Sequence, residues 1–311
     1  MVTLSIGIPT YERPALLKRL INTIINQKNI DDYNIEILIG DDSKKNIYSE
    51  IEESLTDLPV NIEVKYKYHT PAKGQNENVG SLIERATGNF FCLMHDDDYF
   101  LDGAIKTLLK AVQANPDCIV FGKQMFVAKE FDYKTSDKIN NDFKRSTVFT
   151  GRQKDTIEMA MLQQCPNDGF ILPTAAAKKL GSRPANIIGT ACDFDFALRA
   201  AVTEKLNFYF VDEYTTVYAI SDDSVTTSFE NNAGERKLNI LYEFKTNQTH
   251  PKIFDAVLKT DLSMVISHYI IVKNYAAARK QLFSINNFFK FLWKKPATYL
   301  QLFRIVFKPN F

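Results

Sequence analysis

Apolar and polar positions along the first 220 residues switch between two periods. Leu4–Ile8 is a short apolar run of the kind a buried strand makes. Leu16, Leu17, Leu20, Ile21, Ile24 and Ile25 then recur at helical spacing. Ile35–Ile39 is a second buried run, ending in Gly40-Asp41-Asp42-Ser43, and Ile62–Tyr68 alternates as a third strand. A helix is expected around Asn78–Arg85, a fourth strand over Phe90–Met94, and another helix from Asp102 carrying Ala104, Leu108, Leu109 and Val112. Strands and helices in alternation predict right-handed crossovers and an α/β fold with a mainly parallel sheet flanked by helices.

Further along, Ile119–Val127 reads as a strand and the polar stretch Lys129–Lys144 as a loop. Phe170–Leu180 turns into a helix near Thr174, and Asp193–Val202 reads as a helix. Asn207–Val211 and Thr215–Ile220 read as a β pair, and from Arg236 the pattern is helical and aromatic-rich. The expected division is an α/β domain over residues 1–220 and a mostly helical region over 221–311. No internal repeat and no low-complexity stretch interrupts it.

Candidate chemistry gathers where the apolar runs stop. Asp96-Asp97-Asp98 follows the fourth run directly, and three adjacent carboxylates call for positive compensation. A hard divalent cation carrying phosphate oxygens supplies it, although the same residues could cap the next helix. Pro9-Thr10-Tyr11-Glu12-Arg13 and Asp41-Asp42-Ser43 end two other strands, and open α/β sheets bind ligands at that edge. Tyr11 is suited to stacking on a base, Asp42 to accepting from base or ribose, and Asp97 and Asp98 to holding the metal. Thr10 as a helix cap, Asp41-Asp42-Ser43 as an Asx turn and Arg13 as a surface charge are the simpler alternatives.

The chain carries a net charge of +1, but unevenly. Asp261 is the last acidic residue; eight Lys and Arg follow it, leaving −7 on residues 1–261. That balance points to an anionic partner at the C-terminus and not to nucleic acid. Cys92, Cys118, Cys165 and Cys192 are widely spaced, without zinc-ligand spacing, which fits a reducing cytoplasm. Residues 1–9 read as a first strand and not as a signal peptide, and Lys or Arg interrupts every C-terminal apolar stretch before about 18 residues, so no spanning helix is expected.

The motifs Ile8-Pro9-Thr10-Tyr11, Ile39-Gly40-Asp41-Asp42-Ser43, Ala86-Thr87-Gly88-Asn89-Phe90 running into Met94-His95-Asp96-Asp97-Asp98, and Asp193-Phe194-Asp195-Phe196-Ala197-Leu198-Arg199 occur in order. In that arrangement, over roughly residues 3–220, the chain resembles a family 2 glycosyltransferase of the GT-A fold. The resemblance implies that residues 1–220 bind a nucleotide sugar and carry the catalysis. It places Pro9 and Tyr11 beside the nucleobase with Asp42 contacting it, gives the metal and sugar diphosphate to Asp97 and Asp98, and makes Asp193 the catalytic base.

The full nucleotide-sugar set expected is Pro9, Thr10, Tyr11, Arg13, Asp42, Lys73, Asn78, Asp96 and Asp97. Lys73 lies in a loop that often faces phosphate or sugar in the family, and Asn78 starts the following helix. Asn167, Asp168 and Asp195 are expected at the acceptor and sugar pocket, and Ser221-Asp222-Asp223-Ser224 as a loop closing over it.

Two positions depart from the family. His95 stands where the first carboxylate of D-x-D usually falls, a pattern similar to Gly-Asp-Asp-Asp in a subset resembling deoxyhexosyltransferases, and either weak ligation or a positional role fits it. Cys192 stands where Glu often precedes the base.

The implied reaction is inverting, Mn²⁺- or Mg²⁺-dependent transfer of a hexosyl or deoxyhexosyl group. It runs from a nucleotide-diphosphate donor, UDP favoured, to a hydroxyl of a glycan or lipid-linked saccharide in surface polysaccharide synthesis. Residues 282–307 interleave aromatics with Lys and Arg and carry no acids, which reads as an interfacial anchor on anionic lipid, or else as a packed helical subdomain. The expected location is thus cytoplasmic, peripheral on the inner face of the membrane. A sugar-phosphate nucleotidyltransferase is the rival enzyme, weakened by the lack of a Gly-rich basic phosphate loop after the first strand. A catalytically silent carbohydrate-binding scaffold is the other rival.

Overall fold

The computed structural model describes residues 1–220, 233–283, 292–293 and 295–307. Among them, nine strands form one sheet: β1 Val2–Thr10, β2 Tyr33–Asp41, β3 Ile62–Tyr68, β4 Phe90–Leu93, β5 Tyr99–Phe100, β6 Cys118–Val127, β7 Gly151–Arg152, β8 Phe170–Pro173 and β9 Asn207–Ala219. Their order is β3-β2-β1-β4-β8-β6-β9-β5, with β7 paired to β9. The block β3-β2-β1-β4 is parallel, as the alternation of strand and helix requires. β8 then runs antiparallel between β4 and β6.

The helices are α1 Pro14–Ile25, α2 Tyr48–Ile51, α3 Gln75–Arg85, α4 Ala104–Ala114, α5 Tyr133–Asp142, α6 Thr156–Met161, α7 Thr174–Leu180, α8 Ala185–Ile188, α9 Cys192–Val202, α10 Ala233–Glu243, α11 Thr246–Thr249, α12 Pro251–Ile271, α13 Tyr275–Leu282 and α14 Pro296–Phe307. Leu17, Leu20, Ile21 and Ile24 of α1 are fully buried in one core with Ile6, Ile8, Ile37 and Ile39. Each such side chain contributes about 1.5–3 kcal/mol on leaving water. The register pairs Thr10 with Asp41 and Gly7 with Leu93, so β1, β2 and β4 end side by side. Polar residues that follow those strands therefore share one edge of the sheet.

Two expectations from the sequence are corrected. Lys129–Lys144 is not a loop, since it contains α5. That helix buries Ser136 and Asn140 instead of an apolar stripe, so hydrophobic periodicity carries no trace of it. Asp132 caps it by accepting from Thr135 N at 3.0 Å, and Asn140 bonds both the N–H and the C=O of Gln124. The expected β pair over 207–220 is a single strand, β9, parallel to β6. Asp212 and Glu213 look like a turn but sit at a bulge, where the step Phe121 to Lys123 on β6 faces Phe210 to Tyr214 on β9. Asp212 is ion-paired with Lys123 at 2.9 Å and accepts from Thr147 Oγ1 at 2.7 Å.

The described residues divide into two compact units, one holding the sheet and one holding residues 188–191 with those from Ala233 onward. In the second, α10 and α12 bury Leu238, Leu241, Leu258, Leu262, Val265 and Ile266. Helix α14 is tied to α12 by Gln301 Nε2, which donates to Ser263 O at 2.7 Å and Ser267 Oγ at 2.8 Å. Its other face exposes Tyr299, Leu300, Phe303 and Val306. Among the described residues no helix is long and apolar enough to cross a membrane.

Candidate active site

The acidic segment after β4 alternates inward and outward. Asp96 and Asp98 are buried, whereas His95, Asp97 and Tyr99 are half-buried. Asp96 acts as a bracket: its Oδ2 accepts from Thr10 Oγ1 at 2.7 Å, and Arg13 Nη1 approaches its Oδ1 at 3.4 Å. Arg13 also donates to Asp97 Oδ2 at 2.8 Å, and Arg19 donates to the Asp97 carbonyl. Asp98 Oδ1 accepts from Ala219 N at 2.7 Å, which fastens the segment to the end of β9. Thr10, Arg13, Asp96, Asp97 and Asp98 are therefore brought together, as expected of strand-end residues.

Asn167 and Asp168 join the same group. Asp168 Oδ2 accepts from His95 N at 3.0 Å, and Asn167 Nδ2 lies 3.3 Å from His95 Nδ1. The turn they occupy depends on Gly169, whose φ is +70° and where an added Cβ would lie 2.5 Å from Thr216 Cγ2. Burial pushes the Asp98 carboxyl well up, and the charges of Asp168 and Asp97 push the same way. Burial also raises Asp168, against the pull of His95 and its backbone N–H. Ligand atoms of His95, Asp97 and Asp98 lie within 4.8 Å of one another. Two carboxylates set this close beside an imidazole fit a hard divalent cation.

A second cluster lies at the end of β2. Asp42 is buried and accepts from Lys73 N at 3.2 Å and Gly74 N at 2.8 Å, with His69 Nδ1 at 2.9 Å. It thus organises the loop that presents the exposed Lys73 side chain. Asp41 makes the Asx turn, accepting from Ser43 N at 2.8 Å. Asn78 is a strut: its Nδ2 donates to Gly40 O at 2.7 Å, and a Cβ on Gly40 would meet its Oδ1. Tyr11, at 49 % exposure, stands just past the end of β1, which carries the half-buried Pro9.

Asp193 is half-buried in the first turn of α9. Its charge acts on Arg145, as does that of Asp168. Cys192 beside it has its thiol pushed up to about 12 by burial and by Asp193, so no second charge precedes that residue. Asp195 is not brought to the group. It is fully buried between Arg183 and Arg199 Nε, the latter at 2.8 Å, and locks α9 to the end of α7. The loop expected over Ser221–Ser224 lies outside the described residues.

Sequence reasoning passed over Gln124 and Arg145. Gln124 Nε2 donates to Asp168 Oδ1 at 3.0 Å and Asn167 Oδ1 at 3.2 Å, while Gln124 Oε1 accepts from Arg145 Nη1 at 2.9 Å. A Gln next to Lys123 in the otherwise apolar strand Ile119–Phe126 is the signal that was available, and the structure buries it to 2 % exposure.

Among known proteins, the chain is 24 % identical over 302 residues to the GalNAc(5)-diNAcBac-PP-undecaprenol beta-1,3-glucosyltransferase of Campylobacter jejuni, covering 91 % of this chain and 88 % of that protein. Its structure is similar to that of the mannosyltransferase PcManGT from Pyrobaculum calidifontis in complex with GDP-Man and Mn²⁺, with a TM-score of 0.61, 11 % identity, and coverage of 99 % of this chain and 88 % of that one. It is also similar to residues 1–349 of S. aureus TarS in complex with UDP-GlcNAc, with a TM-score of 0.58, 15 % identity, and coverage of 98 % and 80 %. The chain spans about half of the longer TarS structure, 54 % of that chain, with a TM-score of 0.56 at 14 % identity over 90 % of this one. Such low identities speak to the fold alone, which is the GT-A arrangement of sheet and helices. The model of glycosyl transferase family 2 matches residues 5–172, from the first strand through the Asn167–Gly169 turn, and the chain belongs to that family of glycosyltransferases.

Proposed function

We propose that this glycosyltransferase is an inverting, Mn²⁺- or Mg²⁺-dependent enzyme. It moves a hexosyl group from a nucleotide-diphosphate sugar to a hydroxyl of a lipid-linked saccharide during surface polysaccharide synthesis. The observation that carries the reading is the His95, Asp97 and Asp98 group, set at the sheet edge where Thr10 and Asp41 end their strands. The lipid-linked acceptor rests on the name of the Campylobacter relative. Work on such an acceptor supports a cytoplasmic location, peripheral on the inner face of the membrane, where α14 would meet anionic lipid.

When bound, the divalent cation offsets the charge that gathers on the diphosphate leaving group. Asp97 and Asp98 would hold it. Tyr11 and Pro9 border the base, the loop ordered by Asp42 brings Lys73 toward phosphate, and Asn167 with Asp168 lines the sugar side. Asp193 takes the proton of the acceptor hydroxyl as the new C–O bond forms and the bond to the diphosphate breaks, releasing nucleoside diphosphate. With one base activating the hydroxyl, a single attack by its oxygen opposite the leaving group inverts the anomeric centre.

Calorimetry with UDP and GDP, each with and without Mn²⁺, tests this. Binding is expected to need the cation and to be lost in Asp97→Ala and Asp98→Ala. Equal affinity of the parent and both variants in Mn²⁺ would remove the assignment.

A further inference from the structure

The carboxyl ends of β6 and β9 reach the same edge of the sheet as the acidic segment. β8 is antiparallel to β4 and to β6, so β6 runs with β4, and β9 is parallel to β6. Phe126 and Tyr218 stand next to last in those two strands and pair in register. Their ring centroids are 5.3 Å apart, with the planes tilted by 46°. Two residues back on each strand are Gln124 and Thr216, also in register, and both adjoin the Asn167–Gly169 turn. Gln124 Nε2 donates to Asn167 and Asp168, and Thr216 Cγ2 is the atom that a Cβ on Gly169 would strike at 2.5 Å. Side chains two apart on a strand share a face, so the ring pair continues the surface on which that turn lies. Ala219, which follows Tyr218, donates its N–H to Asp98 Oδ1 at 2.7 Å.

Rings that only fill the core are sealed in these strands: Phe121, Phe208 and Phe210 are fully buried. Phe126 and Tyr218 are instead left half-buried where the strands meet the acidic group. Among the described residues the Tyr218 hydroxyl makes no hydrogen bond. A half-open aromatic corner with one polar tip suits a ligand that is apolar on its faces and polar around its rim. A pyranose is such a ligand, because its C–H faces rest on π-faces while its hydroxyls hydrogen-bond at the edge. Tyr11 and Asp42, at the nucleotide end, follow β1 and β2, which lie on the other side of β4 in the sheet order. We propose that Phe126 and Tyr218 form a stacking subsite for a sugar ring of the acceptor, on the far side of β4 from the nucleotide. That the ring belongs to an acceptor rests on the transfer reading; the fit of the pair to a sugar does not.

The test uses the full chain, without nucleotide or cation, and the methyl glycosides of glucose, galactose, N-acetylglucosamine and N-acetylgalactosamine. Saturation-transfer NMR, irradiating the aromatic protons of the protein, reads which sugar protons touch a ring. At least one glycoside should receive saturation on the C–H protons of one face. Phe126→Leu and Tyr218→Leu keep apolar bulk and remove a π-face, and each should weaken that binding about two- to tenfold. Tyr218→Phe should keep the ring-face signal. Tyr218→Leu decides the matter if Phe126→Leu does not fold. UDP affinity in Mn²⁺, read by calorimetry, should be the same in the parent and in both Leu variants.

Absence of saturation transfer to every glycoside would overturn the inference, as would folded Leu variants that bind them like the parent. Loss of UDP affinity in those variants, equal to their loss of sugar binding, would give the rings to the donor and overturn it too. A parent that binds a glycoside but no UDP would count against the transfer reading, while the Leu variants still decide the sugar site.

Discussion

Arg13 Nη1 lies 2.8 Å from Asp97 Oδ2, so one side chain expected at the nucleotide is the counter-ion of another expected at the cation. The pair is partly exposed, which limits its worth to about 0.2–1 kcal/mol. It nevertheless links two binding events, since Arg13 neutralises the charge a cation needs and can be drawn to the diphosphate that arrives with it. Arg13→Gln should therefore bind Mn²⁺ alone up to about fivefold more tightly and a nucleoside diphosphate more weakly. Calorimetry on each ligand separately checks both signs. If both affinities fall together, Arg13 does no more than support the loop.

Asp193→Asn keeps the shape of the side chain and removes its basicity. Donor affinity should survive, and transfer to the acceptor should fall by roughly two or more orders of magnitude. Near-normal turnover would move the role of base to Asp168, the other carboxylate whose charge acts on Arg145. Asp195 is the poorer substitute, because both its oxygens are held by arginines in the core.

What the sequence disclosed follows from what burial does to composition. Strands β1, β2 and β4 were legible because each is sealed on both faces and so reads as an apolar run, and their polar ends mark one edge of the sheet. Asp97 and Asp98 could be set at that sheet edge on that ground alone. Helix α5 could not, since its buried face is Ser136 and Asn140, paired to the backbone of β6. The continuity of β9 was hidden by the bulge, which lets Asp212 and Glu213 sit inside a strand. Gln124 and Arg145 were missed because their chemistry lies in whom they face, 21 and 44 residues away along the chain, and spacing holds no record of that.

Glu36 gives a pH dependence away from the site. Burial raises its carboxyl, but Lys65 at 2.7 Å, the Ser5 hydroxyl, and the N–H and hydroxyl of Thr87 outweigh burial and bring it down to about 2 from an ordinary 4.5. As pH falls the unfolded chain takes up this proton first. The stabilisation, on the order of 3 kcal/mol, is thus complete above about 4.5 and lost on the way to 2. Urea midpoints should fall across that window in the parent. Glu36→Gln should be weaker at neutral pH and flatter below it; parallel decline of the two would mean other carboxylates govern acid unfolding.

The last prediction concerns α14. Tyr299, Phe303 and Val306 stand on its exposed face at helical spacing, Leu300 beside them, and Arg304 and Lys295 supply positive charge. An apolar stripe flanked by cations binds an anionic interface by insertion and by Coulomb attraction, with about 1 kcal/mol for each basic residue near the surface. Salt weakens the second part and leaves the first. Deleting the helix would also remove the bonds from Gln301 to Ser263 and Ser267, so substitutions on the exposed face are the cleaner probe. Tyr299→Ser with Phe303→Ser should leave the folded state and nucleotide binding intact, since neither side chain is buried. Flotation with phosphatidylserine-containing vesicles should fall severalfold at low and high salt alike. Arg304→Gln should lower it at low salt only. If the parent ignores such vesicles, the exposed face meets a protein or a glycan, and membrane attachment would have to lie elsewhere.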